Sequence, residues 1–135
     1  MEYLGEECFY GSGLESIRIP PAVKTIEAWT FCECKNLRHV EFSEGLEKIG
    51  LGAFAYSGIE RVDLPSSTKR IGANAFVECK QLRSVWLNEG LETLGEAERF
   101  EGLEYYGRVF ECSALESVVI PSTLEVLTER TFEKC

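Results

Sequence analysis

Apolar positions recur along this chain at a fixed distance. Phenylalanine stands at positions 9, 31, 54, 76, 110 and 132. The steps between them are 22, 23, 22, 34 and 22 residues, and the long step falls to 23 once an 11-residue interruption at 96–106 is taken out. Five positions ahead of five of them lies an aliphatic residue: Leu4, Ile26, Ile49, Ile71 and Leu127. Between successive phenylalanines runs Leu-x-x-(Val/Ile)-x-(Leu/Ile/Phe), with Ile59 in place of one leucine, at 14–19, 37–42, 59–64, 82–87 and 115–120. The last three positions of this string alternate inward and outward, the period of a half-buried strand. A second, shorter extended segment is predicted over 23–26, 46–49, 91–94 and 124–127. Glycine then follows at Gly5, Gly50, Gly72 and Gly95, which suits a sharp corner. The Ala-Phe stretch after it is expected to make a brief helical turn back to the next strand.

The copies alternate in kind. Odd copies carry Ser12-Gly13, Ser57-Gly58 and Ser113-Ala114 after the phenylalanine, and their strands end at Pro20, Pro65 and Pro121. Even copies carry Cys34-Lys35 and Cys79-Lys80, and their strands lead into Glu44-Gly45-Leu46 and Glu89-Gly90-Leu91. The true unit is therefore a pair of copies, 45 residues long. Periods of this size mean a solenoid. A single copy has no means of burying its own apolar edge; stacking places Phe on Phe and Ile on Ile in columns along the axis. The charges fix the register. The first outward strand position reads Glu15, Arg38, Glu60, Arg83, Glu116, and the second segment reads Lys24, Glu47, Lys69, Glu92. Opposite charges on adjacent strands contribute about 0.2–1 kcal/mol each, less when solvated. A slip of one copy would stack like on like. The expected architecture is one domain over 1–135: a mainly β repeat solenoid of about six 22–23-residue copies with a parallel sheet, interrupted at 96–106.

Composition narrows the function. The formal charge is −9, whereas a nucleic-acid binder needs a basic face to displace counterions. Asp63 is the sole aspartate, so the alternating Asp/Asn of a calcium loop is missing. No apolar run approaches the ~18 residues of a membrane span. Met1 leads directly into Glu2 and Tyr3, without a charged-then-apolar leader, and the residues alone leave the compartment unassigned. Glycine-rich phosphate loops and Gly-x-Ser-x-Gly elbows do not occur. No cofactor is implied.

Six cysteines invite a disulfide reading. However, Cys34, Cys79 and Cys135 share a column with Ser12, Ser57 and Ser113, and a position that takes either residue wants a small side chain. Cys34 and Cys79 are two turns apart, about 9–10 Å by strand spacing, too far to bridge. Cys32-x-Cys34 with His39 lacks a second ligand pair for zinc. His39, the single histidine, falls at an outward strand position between Ser16 and Arg61, which reads as surface rather than as a general base.

Two features break the pattern, and departures of that kind are where function tends to sit. Trp86 belongs to the outward column Arg18, Glu41, Asp63, Trp86, Val119. Exposed tryptophan flanked by arginine is typical of interface anchors; the alternative is that a neighbour or the insert covers it. The insert carries Phe100, Leu103, Tyr105 and Tyr106 among four glutamates. These residues either pack back on the solenoid or meet a partner. The candidate partner-binding residues are therefore Arg38, His39, Arg61, Arg83, Trp86, Phe100, Tyr105 and Tyr106.

The string Ile-Gly-x-x-Ala-Phe-x-x-Cys-x-x-Leu-x-x-Val-x-Leu resembles the BspA-like, treponemal-type leucine-rich repeat. Ile49-Gly50-Leu51-Gly52-Ala53-Phe54 and Ile71-Gly72-Ala73-Asn74-Ala75-Phe76 match it best. The resemblance implies a right-handed leucine-rich coil with a parallel sheet. It also implies a secreted or surface-displayed protein that acts in adhesion or host-protein binding. The reading is a non-catalytic protein-binding or adhesion scaffold with a protein partner, no nucleic acid and no membrane span. The alternative is a structural stretch of a longer repeat protein without a site of its own, in which uncapped end copies allow end-to-end self-association.

Overall fold

The computed structural model describes residues 3–128 and 130–135. Its backbone is a coil of stacked turns. One parallel sheet of six short strands runs the length of the stack: β1 (Tyr3–Leu4), β3 (Thr25–Ile26), β5 (Lys48–Ile49), β7 (Arg70–Gly72), β9 (Thr93–Glu96) and β12 (Val126–Leu127). The register places Leu4, Ile26, Ile49, Ile71, Leu94 and Leu127 side by side. This is the aliphatic column that the spacing predicts, and Ile26, Ile49, Ile71 and Leu94 are fully buried.

The Leu-x-x-Val strands form two shorter parallel ladders on another face, β2 (Ser16–Arg18) with β4 (His39–Glu41) and β6 (Arg61–Asp63) with β8 (Ser84–Trp86). The fifth segment expected to be a strand, 115–120, is not one. Among the described residues no later copy of this strand stacks on it. Ile120 is 41% exposed, whereas its column mates Ile19, Leu64 and Leu87 stand at 0%, 3% and 6%.

The corners correct a second expectation. Among the described residues there is no helix. Instead the residues two before and two after each phenylalanine have positive φ, between 55° and 64°, as in Trp29 and Glu33 or Asn74 and Glu78. Left-handed residues interrupt a right-handed helix. What they achieve here is to turn alternate N–H groups along the stacking axis. Phe31 N–H donates to the Ala53 carbonyl at 2.7 Å, Phe54 to Ala75 at 2.8 Å and Phe76 to Val109 at 2.9 Å. The intervening N–H groups close local turns, as Ala55 does onto Gly52 at 3.0 Å. The corner backbone is thus laddered as a strand is, which a buried chain requires.

Inside, the six phenylalanine rings form one spine. Successive centroids lie 5.2, 5.1, 5.3, 5.5 and 5.7 Å apart, with ring planes within 11° of parallel. These separations sit in the favourable range for aromatic pairs, and Phe31, Phe54, Phe76 and Phe110 are fully buried.

The two-copy period has a hydrogen-bonding cause. The Cys34 thiol donates to the Phe9 carbonyl at 3.0 Å and meets the Ser12 hydroxyl at 3.5 Å. Cys79 repeats this with Phe54 and Ser57, and Cys135 with Phe110 and Ser113. A thiol in one turn and a hydroxyl in the turn before it complete each pair. Outside the core, the Glu44 carboxylate accepts from the Ser66 N–H and hydroxyl at 3.0 and 2.9 Å, and Glu89 accepts from Ser122 in the same way. The Ser66 N–H and then its hydroxyl hold the Glu44 carboxyl below the usual carboxylate range. Of the alternating charges, Arg38 meets Glu60 at 3.1 Å and Lys69 meets Glu92 at 4.0 Å. Both pairs are solvated, so they serve register more than stability.

The interruption at 96–106 is a β-hairpin, β10 (Glu98–Phe100) against β11 (Leu103–Tyr105). Glu101 and Gly102 have φ of 48° and 81°, as a two-residue primed turn demands. Gly95 is where the chain leaves the coil, at φ 85°, and a Cβ there would collide with Thr128 Oγ1 and lie 3.1 Å from Gly107 Cα. The Gly107 N–H donates to the Gly95 carbonyl at 2.9 Å and closes the neck. The stack therefore continues past the excursion, with β12 pairing onto β9.

Candidate functional site

Two regions carry side chains that the repeat does not explain. The first is the outer face of the β2–β4 and β6–β8 ladders. The register pairs Arg18 with Glu41 and Asp63 with Trp86. Trp86 is 57% exposed and Val119, next in the column, 83%. The insert does not cover Trp86; its aromatic contacts are made elsewhere. Arg18 bridges Glu41 at 3.7 Å, Arg38 bridges Glu60, and Arg61 Nε bridges Asp63 at 2.6 Å beside the indole. Arg83 is exposed and takes part in none of the ion pairs among the described residues. His39 is exposed opposite Ser16. The face is thus ion-paired at one end and apolar at the other.

The second region is the hairpin. Trp29, two positions before Phe31, lies over Gly52 in the next turn; a Cβ on Gly52 would collide with its ring atoms. Phe100 and Tyr105 approach that indole edge-on at 6.2 and 5.5 Å. Beneath them lie buried Ala28, Leu51 and Ala73, and Lys48 reaches Glu98 at 3.4 Å. Of the contact residues expected in the insert, Phe100 and Tyr105 are engaged with the solenoid, while Tyr106 remains 52% exposed. A cleft of about 570 Å³ opens between the returning strand and the corners, lined by Asn74, Glu104, Tyr105, Tyr106, Arg108 and Arg130. The spacing does not single out Trp29, Asn74, Arg108 or Arg130. Their signal is that all four occupy the column two residues ahead of a phenylalanine.

Two of the buried thiols are poor nucleophiles. Burial pushes Cys32 and Cys79 up to about 12, so both stay protonated at neutral pH and serve packing rather than chemistry. Among the described residues no three His, Cys, Asp or Glu side chains gather as a metal site, and no helix is long and apolar enough to cross a membrane. What both regions offer is contact: a flat anchored face and a cleft.

Known proteins share this architecture. The family model described as "BspA type Leucine rich repeat region" matches residues 2–135 in six copies. No curated protein matches the chain. Among solved structures, a leucine-rich repeat protein from Bacteroides ovatus is similar at 29% identity and a TM-score of 0.83, over 98% of this chain and 32% of that one. The pneumococcal vaccine antigen PcpA is similar at 26% identity and 0.75, over 89% of this chain and 28% of its own. A leucine-rich repeat protein of T. pallidum is similar at 25% and 0.59, over 89% and 64%. The chain thus spans about a third of the length of the first two structures.

Proposed function

The chain belongs to the BspA type leucine-rich repeat family, and from that premise we propose that it is a non-catalytic scaffold whose ladder face binds another protein. The observation that carries this is Trp86, 57% exposed beside the apolar Val119 and the Arg61–Asp63 pair. Partly exposed tryptophan with nearby arginine is the composition of an interface anchor. Nucleic acid is disfavoured as the partner by the net charge of −9. Secretion or surface display, in an adhesive role, is the setting we propose, since one similar structure is that of a vaccine antigen. In pull-downs, Trp86→Ala and Arg83→Ala are expected to lose the partner, with affinity down about 30-fold for an anchor worth ~2 kcal/mol. Thermal stability should hold within about 0.5 kcal/mol, as for other exposed sites. Unchanged partner recovery rejects this face.

A second reading is favoured by one observation at the last turn. Leu127 is 52% exposed, although its column mates Ile26, Ile49, Ile71 and Leu94 are fully buried. A further turn of the same kind, in the same chain or in a second copy, would cover it, and the chain would then be a structural stretch of a longer stack. Light scattering is expected to show concentration-dependent, end-to-end association that Leu127→Glu abolishes. A monomer at all concentrations would dismiss association through this end.

A further inference from the structure

The cleft beside the hairpin lies apart from the ladder face, and we propose that it is a binding site for a neutral saccharide. Its volume of about 570 Å³ lies within the ~300–1,000 Å³ of small-molecule sites. One wall is the corner column of Asn74, Arg108 and Arg130, held in register by the Phe76–Phe110–Phe132 stack. The opposite wall is Glu104, Tyr105 and Tyr106 on the hairpin.

The charges argue for a neutral ligand. Every ionised group lining the cleft already has a partner: Glu104 with Arg99 at 3.4 Å, Arg108 Nε with Glu111 at 3.6 Å, and Arg130 Nε with Glu133 at 3.1 Å. Each charge in the cleft is thus already balanced, so a charged ligand would bring a net charge that nothing there offsets. Hydrogen-bonding capacity nevertheless remains. A guanidinium has five N–H donors, and both arginines form their ion pairs through Nε, which leaves the terminal nitrogens to a ligand. Asn74 lines the cleft, and its Oδ1, turned inward, has no hydrogen-bond partner in the protein; rotation of the carboxamide would bring this unused acceptor to a ligand hydroxyl.

Guanidinium, carboxamide and carboxylate are planar forks whose paired atoms match two neighbouring hydroxyls of a sugar ring. An exposed tyrosine such as Tyr106 offers a flat face to the C–H side of such a ring. A peptide, by contrast, would seek a free strand edge for its backbone, and β11 pairs with β10. A free sugar and a glycan carried on a protein present the same chemistry here, and the two arms of the test separate them.

The test is an NMR titration of the labelled intact chain with cellobiose, lactose and maltose, followed at the Asn74 carboxamide, Arg108 Nε–H and the Tyr106 ring. A parallel arm uses a glycoprotein bearing neutral glycans, before and after enzymatic deglycosylation. Selective shifts at these groups in either arm are expected, lost on deglycosylation in the second. Tyr106→Ala, at an exposed site, should weaken binding about tenfold without lowering Tm, the size expected for one good contact. Trp86→Ala should leave it unchanged, which separates this site from the ladder face. No shift with any neutral sugar in either arm, or shifts produced by glucuronate or inorganic phosphate instead, would overturn the assignment.

Discussion

Phe54→Ala is expected to remove about 3–5 kcal/mol of stability, the usual cost of a large-to-small change at a buried aromatic. The position is the most constrained in the spine. Its ring lies between Phe31 at 5.1 Å and Phe76 at 5.3 Å, and Phe42 meets its edge at 5.8 Å with the planes 77° apart. Truncation leaves a void between two turns whose spacing is fixed by backbone ladders on several sides, so the stack has little freedom to collapse into it. A nearest-neighbour stack transmits stability only across adjacent turns, and this change weakens two interfaces at once. Against a total of ~5–15 kcal/mol, the variant is left marginal. Urea denaturation should show the midpoint falling by about 2 M for an m-value of ~1–3 kcal/mol/M. Phe9→Ala should cost less, because Phe9 is half-buried with a single stacked neighbour. Equal losses at the two positions would mean that the column is not a continuous structural element.

That column, and with it the fold, is legible in the residues because each contact is made between equivalent positions. Ile49 meets Ile26 and Ile71, and Phe54 meets Phe31 and Phe76, so one spacing encodes every rung. The Cys and Ser alternation is legible for the same reason. Its cause, a thiol donating to the phenylalanine carbonyl of the preceding turn, emerges only from geometry. The corners mislead because positive φ is assigned from glycine and asparagine, and here only Gly11, Gly52 and Asn74 among the corner residues give that cue. Glu, Trp, Tyr, Arg, Cys and Lys take the same conformation at the remaining corners, compelled by axial hydrogen bonds rather than by their own preference. The cleft is the least legible part. It joins Asn74 to Tyr106 and Arg130 through a hairpin that lands on Trp29, in a turn far earlier in the chain, and no periodicity encodes a contact made once.

Trp29→Ala should release the hairpin. The indole is the surface on which Phe100 and Tyr105 rest, and an isolated two-stranded hairpin is marginal in water. Because Trp29 is itself only partly buried, the expected global loss is about 2–3 kcal/mol, below the ~3–5 of a fully buried large side chain. The local effect is larger. Amide exchange at 98–105 should rise to near the unprotected rate, and trypsin should cut after Arg99, while the six-stranded sheet keeps its protection. Gly52→Ala is the independent check. Its added Cβ collides with the indole and takes φ of 59°, which displaces the ring without deleting it, so the same release should follow. Protection at 98–105 that survives both changes would show that the neck at Gly95 and Gly107 and the Lys48–Glu98 pair suffice to hold the insert. The cleft wall would then be independent of Trp29. If both changes free the hairpin, sugar binding should vanish with it, since Glu104, Tyr105 and Tyr106 line the cleft with Asn74 and the arginines only while the hairpin is seated.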